Sequence, residues 1–124
     1  MEKIIIEGSN HLPRVEFDLN GKLSMEGRSL PEDVVKLFSP LIDFASNLSV
    51  GSVVFDINLE YFNTATSKQL LELLKHLDAN NKINEVCVNW HFEEGDEDSI
   101  EMAEIYEESL MRIAFKYIEY QEAA

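Results

Sequence analysis

Residues 52–92 read SVVFDINLEYFNTATSKQLLELLKHLDANNKINEVCVNWHF, and the fold class is decided by how this stretch is divided. Ser52 to Leu59 is mostly apolar, with Asp56 and Asn58 near its exit, and reads as a buried strand that delivers the chain into a helix. Asn63-Thr64-Ala65-Thr66-Ser67 is a cluster of capping residues, and Leu70, Leu71, Leu73, Leu74 and Leu77 follow at helical spacing. Asn80-Asn81 makes a stop. Asn84 to Phe92 then alternates apolar and polar, the pattern of a second strand. Strand, helix and strand in this order imply a crossover connection, so helices pack against a sheet that is at least partly parallel.

Working outward, the N-terminal third is strand-rich. Lys3 to Glu7 is a short β-branched run, and Arg14 to Leu19 and Lys22 to Glu26 flank Asn20-Gly21. Asn-Gly between alternating segments signals a hairpin, because both residue types tolerate positive φ. Pro31 suits a first helical turn, with Glu32 and Asp33 behind it at the positive end of the helix dipole. Val34, Leu37, Phe38, Leu41, Ile42, Ala45 and Leu48 recur at helical spacing, and Pro40 in their midst predicts a kink or two stacked short helices. Beyond the central unit, Glu97 to Met111 reads as a helix with Ile100, Ala103, Ile105, Tyr106 and Leu110 on its packed side, and Ile113 to Tyr120 as a closing strand. The expectation is a single α/β domain spanning residues 1–124, a small mixed sheet with an N-terminal hairpin and helices packed on it.

Composition narrows the function. A chain of 124 residues buries about two-thirds of its unfolded surface, so it needs no metal or disulfide as a staple. Ten Lys and Arg against 24 Asp and Glu leave a formal charge of −14, which repels polyphosphate and anionic membranes; neither nucleic acid nor a membrane is an expected partner. One cysteine forms no disulfide framework, and the start MEKIIIEGS lacks the long apolar stretch of a signal peptide. A cytoplasmic protein is expected.

Catalysis finds little support. There is no Gly-rich phosphate loop, GxSxG elbow or HExxH, and no cofactor is implied. Cys87 lies within an alternating strand and reads as a small buried hydrophobe, while His11, His76 and His91 are scattered. From Glu93 to Glu108 there are nine acids and no base. His91, Glu93, Asp96 and Asp98 form the alternative reading, a metal-binding protein or small metal enzyme, since hard cations take clustered oxygen ligands. The stretch lacks the alternating ligands and terminal Glu of a calcium loop, and one His is too little for zinc, so a solvated acidic face is favoured. A plain oligomerisation module is the third reading.

The segment Asn63 to Lys68 carries the most information. A hydroxyl at a helix start sits near unpaired backbone N–H groups and the positive dipole end, a location that accepts a phosphate dianion, with Lys68 as a nearby counter-charge. Composition alone favours a simple N-cap from Asn63, Thr64 or Thr66. Tyr61 and Phe62, just before it, read either as contact area for a partner or as core packing at the strand end.

Three stretches in order resemble the SiaC family of bacterial regulatory phosphoproteins: Gly27-Arg28-Ser29-Leu30-Pro31-Glu32 after the hairpin strand Leu23-Ser24-Met25-Glu26, the segment Tyr61 to Lys68, and Val88-Asn89-Trp90-His91-Phe92 followed by acids. The resemblance covers nearly the whole chain and implies a fold similar to anti-sigma-factor antagonists (STAS-like domains). It also implies a non-enzymatic protein controlled by phosphorylation of the threonine after the loop asparagine, here Thr64. A dedicated kinase would add the phosphate and a metal-dependent phosphatase remove it, and the unphosphorylated form would bind and activate a diguanylate cyclase, raising cyclic di-GMP and favouring biofilm. The partner-binding residues would be Tyr61, Phe62, Asn63, Thr64 and Lys68. Ala65-Thr66 departs from the family's usual Asn-Thr-Ser-Ser pattern, which leaves Thr66 and Ser67 as competing acceptors.

Overall fold

The computed structural model describes residues 1–122. Six strands form one sheet in sequential order: β1 (Ile4–Ile6), β2 (Arg14–Phe17), β3 (Lys22–Ser29), β4 (Val50–Phe62), β5 (Ile83–Glu93) and β6 (Ala114–Tyr120). Helices α1 (Val34–Asn47), α2 (Thr64–Ala79) and α3 (Glu97–Glu108) connect the last four. β1, β2 and β3 pair antiparallel, and β3 to β6 pair parallel, so the sheet is mixed as expected.

Each parallel step moves to the next position in the same direction. Crossovers of one hand repeated in one direction put every helix on the same face. Burial follows that rule. In β4, Val53, Phe55, Ile57 and Leu59 are buried while Val54, Asp56, Asn58 and Glu60 are not; in β5, Val86, Val88, Trp90 and Phe92 are buried while Cys87, Asn89, His91 and Glu93 are half-buried. The core lies between these side chains, Phe17, Leu23 and Met25 of the hairpin, and the leucine stripes of α1 and α2. The opposite face carries no helix among the described residues. β4 is therefore an amphipathic strand, not a wholly apolar one.

The hairpin forms where Asn20-Gly21 indicates, by a different route. Asn20 keeps a negative φ and only Gly21 is positive, at 95°. Gly21 N–H donates to Asp18 O, and Asp18 N–H to Lys22 O, each at 3.0 Å. This is a three-residue loop ending on a left-handed glycine, not the two-residue turn that needs two positive φ values. Asn20 contributes through its side chain, whose Oδ1 accepts from Lys22 N–H at 2.9 Å. Gly21 is also fixed from outside: a Cβ there would lie 2.1 Å from Ser52 O, and Val54 N–H donates to Gly21 O at 2.9 Å. The turn is seated against β4.

Several expected details change. Pro31 precedes α1, and Asp33 is its N-cap, accepting from Lys36 N–H at 3.0 Å. Pro40 does not split the helix, which runs unbroken from Val34 to Asn47; Pro40 and Lys36, whose carbonyl loses its helical partner, are both on its exposed side. α3 stops at Glu108, and Ile105 is 55% exposed instead of packed. At the far end of α2, Asn80 is buried and its Nδ2 donates to the carbonyls of Ala45 and Leu48, both at 2.8 Å, so the residue that stops α2 also ties down the end of α1.

Gly21→Ala is expected to cost more than about 2 kcal/mol in urea unfolding, from backbone strain plus the collision with Ser52. Gly27→Ala, with φ of 103° but open space around it, should cost only the backbone part, about 1 kcal/mol. Equal losses at the two glycines would show that the turn is not seated on β4.

Candidate functional site

β4 ends level with β3, Phe62 opposite Ser29, and α2 starts two residues on. Its register with β3 shifts between Gly27 and Arg28, so that Gly27 faces Leu59 and Arg28 faces Tyr61, leaving Glu60 as an extra residue in a bulge. The bulge sets the direction of the next two side chains. Tyr61 is turned outward, 54% exposed, with the Arg28 guanidinium 5.9 Å from its ring centre. Phe62 turns inward, half-buried, with its ring edge-on to Trp90 at 6.4 Å. The two aromatics thus take one role each: Tyr61 is available contact area and Phe62 is an anchor.

Asn63 is the N-cap of α2. Its Oδ1 accepts from Thr66 N–H at 2.8 Å, and its carbonyl accepts from Ser67 N–H at 3.0 Å. With the cap filled by asparagine, the three following hydroxyls are free to do other things, and the helix sends them in different directions. Thr66 is fully buried; its Oγ1 lies 2.9 Å from Ser29 Oγ and 3.3 Å from Ser29 O. Ser67 is half-buried, accepting at Oγ from Tyr106 at 3.2 Å and donating to Met102 S at 3.4 Å, while its carbonyl accepts from Tyr106 at 2.7 Å. Burial pushes the Tyr106 hydroxyl up to about 12, with the Ser67 bond pulling it part of the way back. Thr64 and Lys68 are both exposed, and four residues apart they share one helix face.

The tethers beneath the site come from three elements: Ser29 at the end of β3, Trp90 in β5 and Tyr106 in α3. Trp90 Nε1 donates to Ser99 Oγ at 2.9 Å and its ring stands edge-on to Tyr106 at 5.8 Å, which holds the start of α3 against the strand. Ser29 was legible only as part of a motif, and Tyr106 only as a helix-face residue; their bonds to residues 37 and 39 positions away leave no local signal.

The acids proposed as metal ligands do not converge. His91 Nε2 donates to Asp56 Oδ1 at 3.1 Å, on the uncovered face of the sheet, and Asn89 reaches the same oxygen at 3.1 Å. Asp96 is spent as the N-cap of α3, accepting from Ser99 N–H at 3.1 Å, and Asp98 is exposed in its first turn. Among the described residues no three His, Cys, Asp or Glu side chains are grouped to hold an ion. Glu93 instead feels repulsion: Glu122 first, then partial desolvation, Asp96 and Glu60 hold its carboxyl above the ordinary carboxylate range.

With this geometry the family follows. The model of the SiaC family regulatory phosphoproteins matches residues 6–120. The chain belongs to the SiaC family. An uncharacterized protein of Pseudomonas aeruginosa (strain UCBPP-PA14) is 32% identical to this SiaC-family chain over 113 residues, which is 87% of the chain and 90% of that protein. The structure of Pseudomonas aeruginosa diguanylate cyclase SiaD in complex with its activator SiaC contains a chain that superposes with a TM-score of 0.80 at 26% identity, covering 94% of this chain and 99% of that one. A structure of SiaC of Pseudomonas aeruginosa superposes at 0.76, also at 26% identity, with coverage of 94% and 99%. Six strands and three helices of this chain thus have the SiaC arrangement.

Two measurements test the division of labour in the segment. Thr66→Val should cost about 1–3 kcal/mol in denaturant unfolding, because it leaves buried Ser29 polar atoms short of a partner, whereas Thr64→Val should change stability by less than about 0.5 kcal/mol. Glu93→Gln gives a pH signature. An acid whose folded pKa is raised stabilises only when protonated, below its unfolded value, and that contribution is lost as pH rises through the raised folded value. Glu93→Gln should therefore stabilise the chain at pH 7 and bring no gain near pH 3, as read from thermal midpoints at the two values.

Proposed function

We infer that this chain is a non-enzymatic, cytoplasmic, single-domain switch: phosphorylation of Thr64 by a serine/threonine kinase turns it off, a metal-dependent phosphatase turns it on, and the unphosphorylated form binds and activates a diguanylate cyclase. The observation that carries the reading is the contrast among neighbouring hydroxyls. Thr64 is exposed at the first turn of α2, while Thr66 is fully buried and Ser67 is engaged by Tyr106 and Met102. A kinase needs an acceptor it can reach without unfolding its target. Membership of a family described as regulatory phosphoproteins, and the solved complex of a diguanylate cyclase with its activator SiaC, support the partner class. No helix of the described residues is long and apolar enough to cross a membrane.

Charge explains how such a switch works without refolding. A phosphate at Thr64 adds about −1.5 to −2 charges at pH 7. At the N-terminus of α2 this charge is favourable to the helix itself, so the fold keeps its shape. The cost falls on the interface. A partner resting on Tyr61, Asn63 and Thr64, with Phe62 setting the platform from below, would have to strip water from the dianion. Lys68, one turn further along the same face, is the cation a kinase or phosphatase would use to register on the acceptor.

Phosphorylation at Thr64 is expected to weaken cyclase binding by about a hundredfold, equivalent to about 3 kcal/mol, by calorimetry, and to abolish activation of cyclic di-GMP synthesis. Thr64→Ala should bind as the wild type and resist inactivation by the kinase. Stoichiometric phosphate at Thr64 with binding unchanged, or phosphate found on Thr66 or Ser67 instead, would overturn this assignment.

A further inference from the structure

The two edges of the sheet are unlike. β1 is cut to three residues, one of the ways in which proteins blunt an open edge. β6 is not blunted. Its seven residues AFKYIEY contain no proline, and the register with β5 runs without a break from Cys87–Ala114 to Glu93–Tyr120. Nothing covers its outer side among the described residues, and Tyr117 and Ile118 are each 38% exposed. The N–H and C=O groups of alternate residues along this strand therefore point away from β5 and are available for pairing.

The surroundings select the partner by charge. α3 packs on β5 and β6, with six acids and no base among its twelve residues. Glu97, Glu101, Glu104 and Glu108 are exposed and form no ion pair among the described residues; Glu119, level with Phe92, adds a carboxylate on the helix-bearing face of the edge strand, whereas the strand's base, Lys116, is level with Asn89 on the opposite face. Ile105, 55% exposed, and Met111, 92% exposed, stand among or just beyond these acids. A second copy is a poor occupant. Antiparallel pairing of two β6 strands keeps the helix-bearing faces on the same side, so two acidic α3 helices would flank the seam and repel.

We propose that β6 is a docking edge for an extended segment of a different protein, carrying Lys or Arg alternating with apolar residues, which adds a seventh strand to the sheet beneath the acidic flank of α3. Main-chain bonds to β6 supply the attachment, and the carboxylates of α3 supply the choice of partner. This surface uses none of Tyr61, Asn63, Thr64 or Lys68, so it stands or falls independently of the phosphorylation reading.

The test is backbone amide exchange on the full chain with two blocked octapeptides, one alternating valine and lysine, the other valine and glutamate. The valine-lysine peptide should slow exchange within residues 114–120 by about tenfold or more, leave Ile4–Ile6 unchanged, and act equally on the chain phosphorylated at Thr64. The valine-glutamate peptide should do nothing. Replacing Glu101→Gln, Glu104→Gln and Glu108→Gln together, with unchanged exchange in α2 and β4 as proof of fold, should remove most of the slowing. If that variant does not fold, about 0.5 M sodium chloride on the wild-type chain gives the same reading, since it shortens the screening length to about 4 Å. No slowing at β6, slowing at β1 instead, or equal slowing by both peptides would overturn the proposal. So would slowing that appears without peptide as the chain is concentrated, which would assign the edge to a second copy.

Discussion

Everything in this molecule depends on one topological constraint: three strand–helix–strand steps taken in the same direction across the sheet. Because crossovers share one hand, such a series puts all its helices on a single face. It also gathers the exits of β3, β4 and β5 at one end of the sheet, since these strands are parallel. That end is where Ser29, Phe62 and the start of α2 meet, so residues from distant parts of the chain share one small platform. A sheet wound in both directions would have carried helices on both faces and placed its site in the crevice between them. Here the helices share one face, and the surface proposed above is the exposed start of α2 beside Tyr61.

The platform is rigid because its polar groups are spoken for. Asn63 fills the cap, Thr66 is bonded to Ser29, and Tyr106 takes both the carbonyl and the hydroxyl of Ser67. No buried side-chain nitrogen or oxygen among the described residues lacks a partner. The other end of α2 is held in the same manner. Asn80 gathers the last carbonyls of α1, and Arg112 donates to the carbonyls of Asp78 and Asn80 while Asp78 accepts from the N–H groups of Met111 and Arg112. These bonds place cationic charge at the negative end of the α2 dipole. α2 is thereby clamped at both termini to elements that flank it, and a change of charge at its first residue meets a helix with little room to move.

The amount of this that was legible follows the range of the interactions. The order of strands and helices, the asparagines that bracket α2 and the presence of a hairpin are written in spacing and local propensity, so the sequence reveals them. The details that shifted were decided by distant contacts. Pro40 signals a break, yet it lies on the exposed side of α1, where its ring meets no packed neighbour, and the helix continues through it. Ile105 fits the apolar stripe of α3, yet that helix ends a sheet edge and has nothing beyond it to bury the side chain. Asn20-Gly21 marks a turn, but that no side chain fits at Gly21 is decided by Ser52, thirty-one residues away. In the candidate site, Asn63 was readable as a cap, whereas the contrast between Thr64 and Thr66 was not, since only Ser29 makes one of them interior.

That contrast has a simple geometric origin. Successive helix residues are rotated by about 100°, so two positions on the side chain points almost to the opposite side of the helix. Once Asn63 fixes where α2 begins, a threonine at the first position must look outward if the threonine at the third is to reach Ser29. One hydroxyl is tied into the fold and its neighbour is exposed, with a single alanine between them. The two duties conflict if they are assigned to the same residue: a phosphate on a buried threonine would break the contact that holds the helix, and the protein would lose its shape along with its partner. Separating them lets a covalent charge act on binding alone.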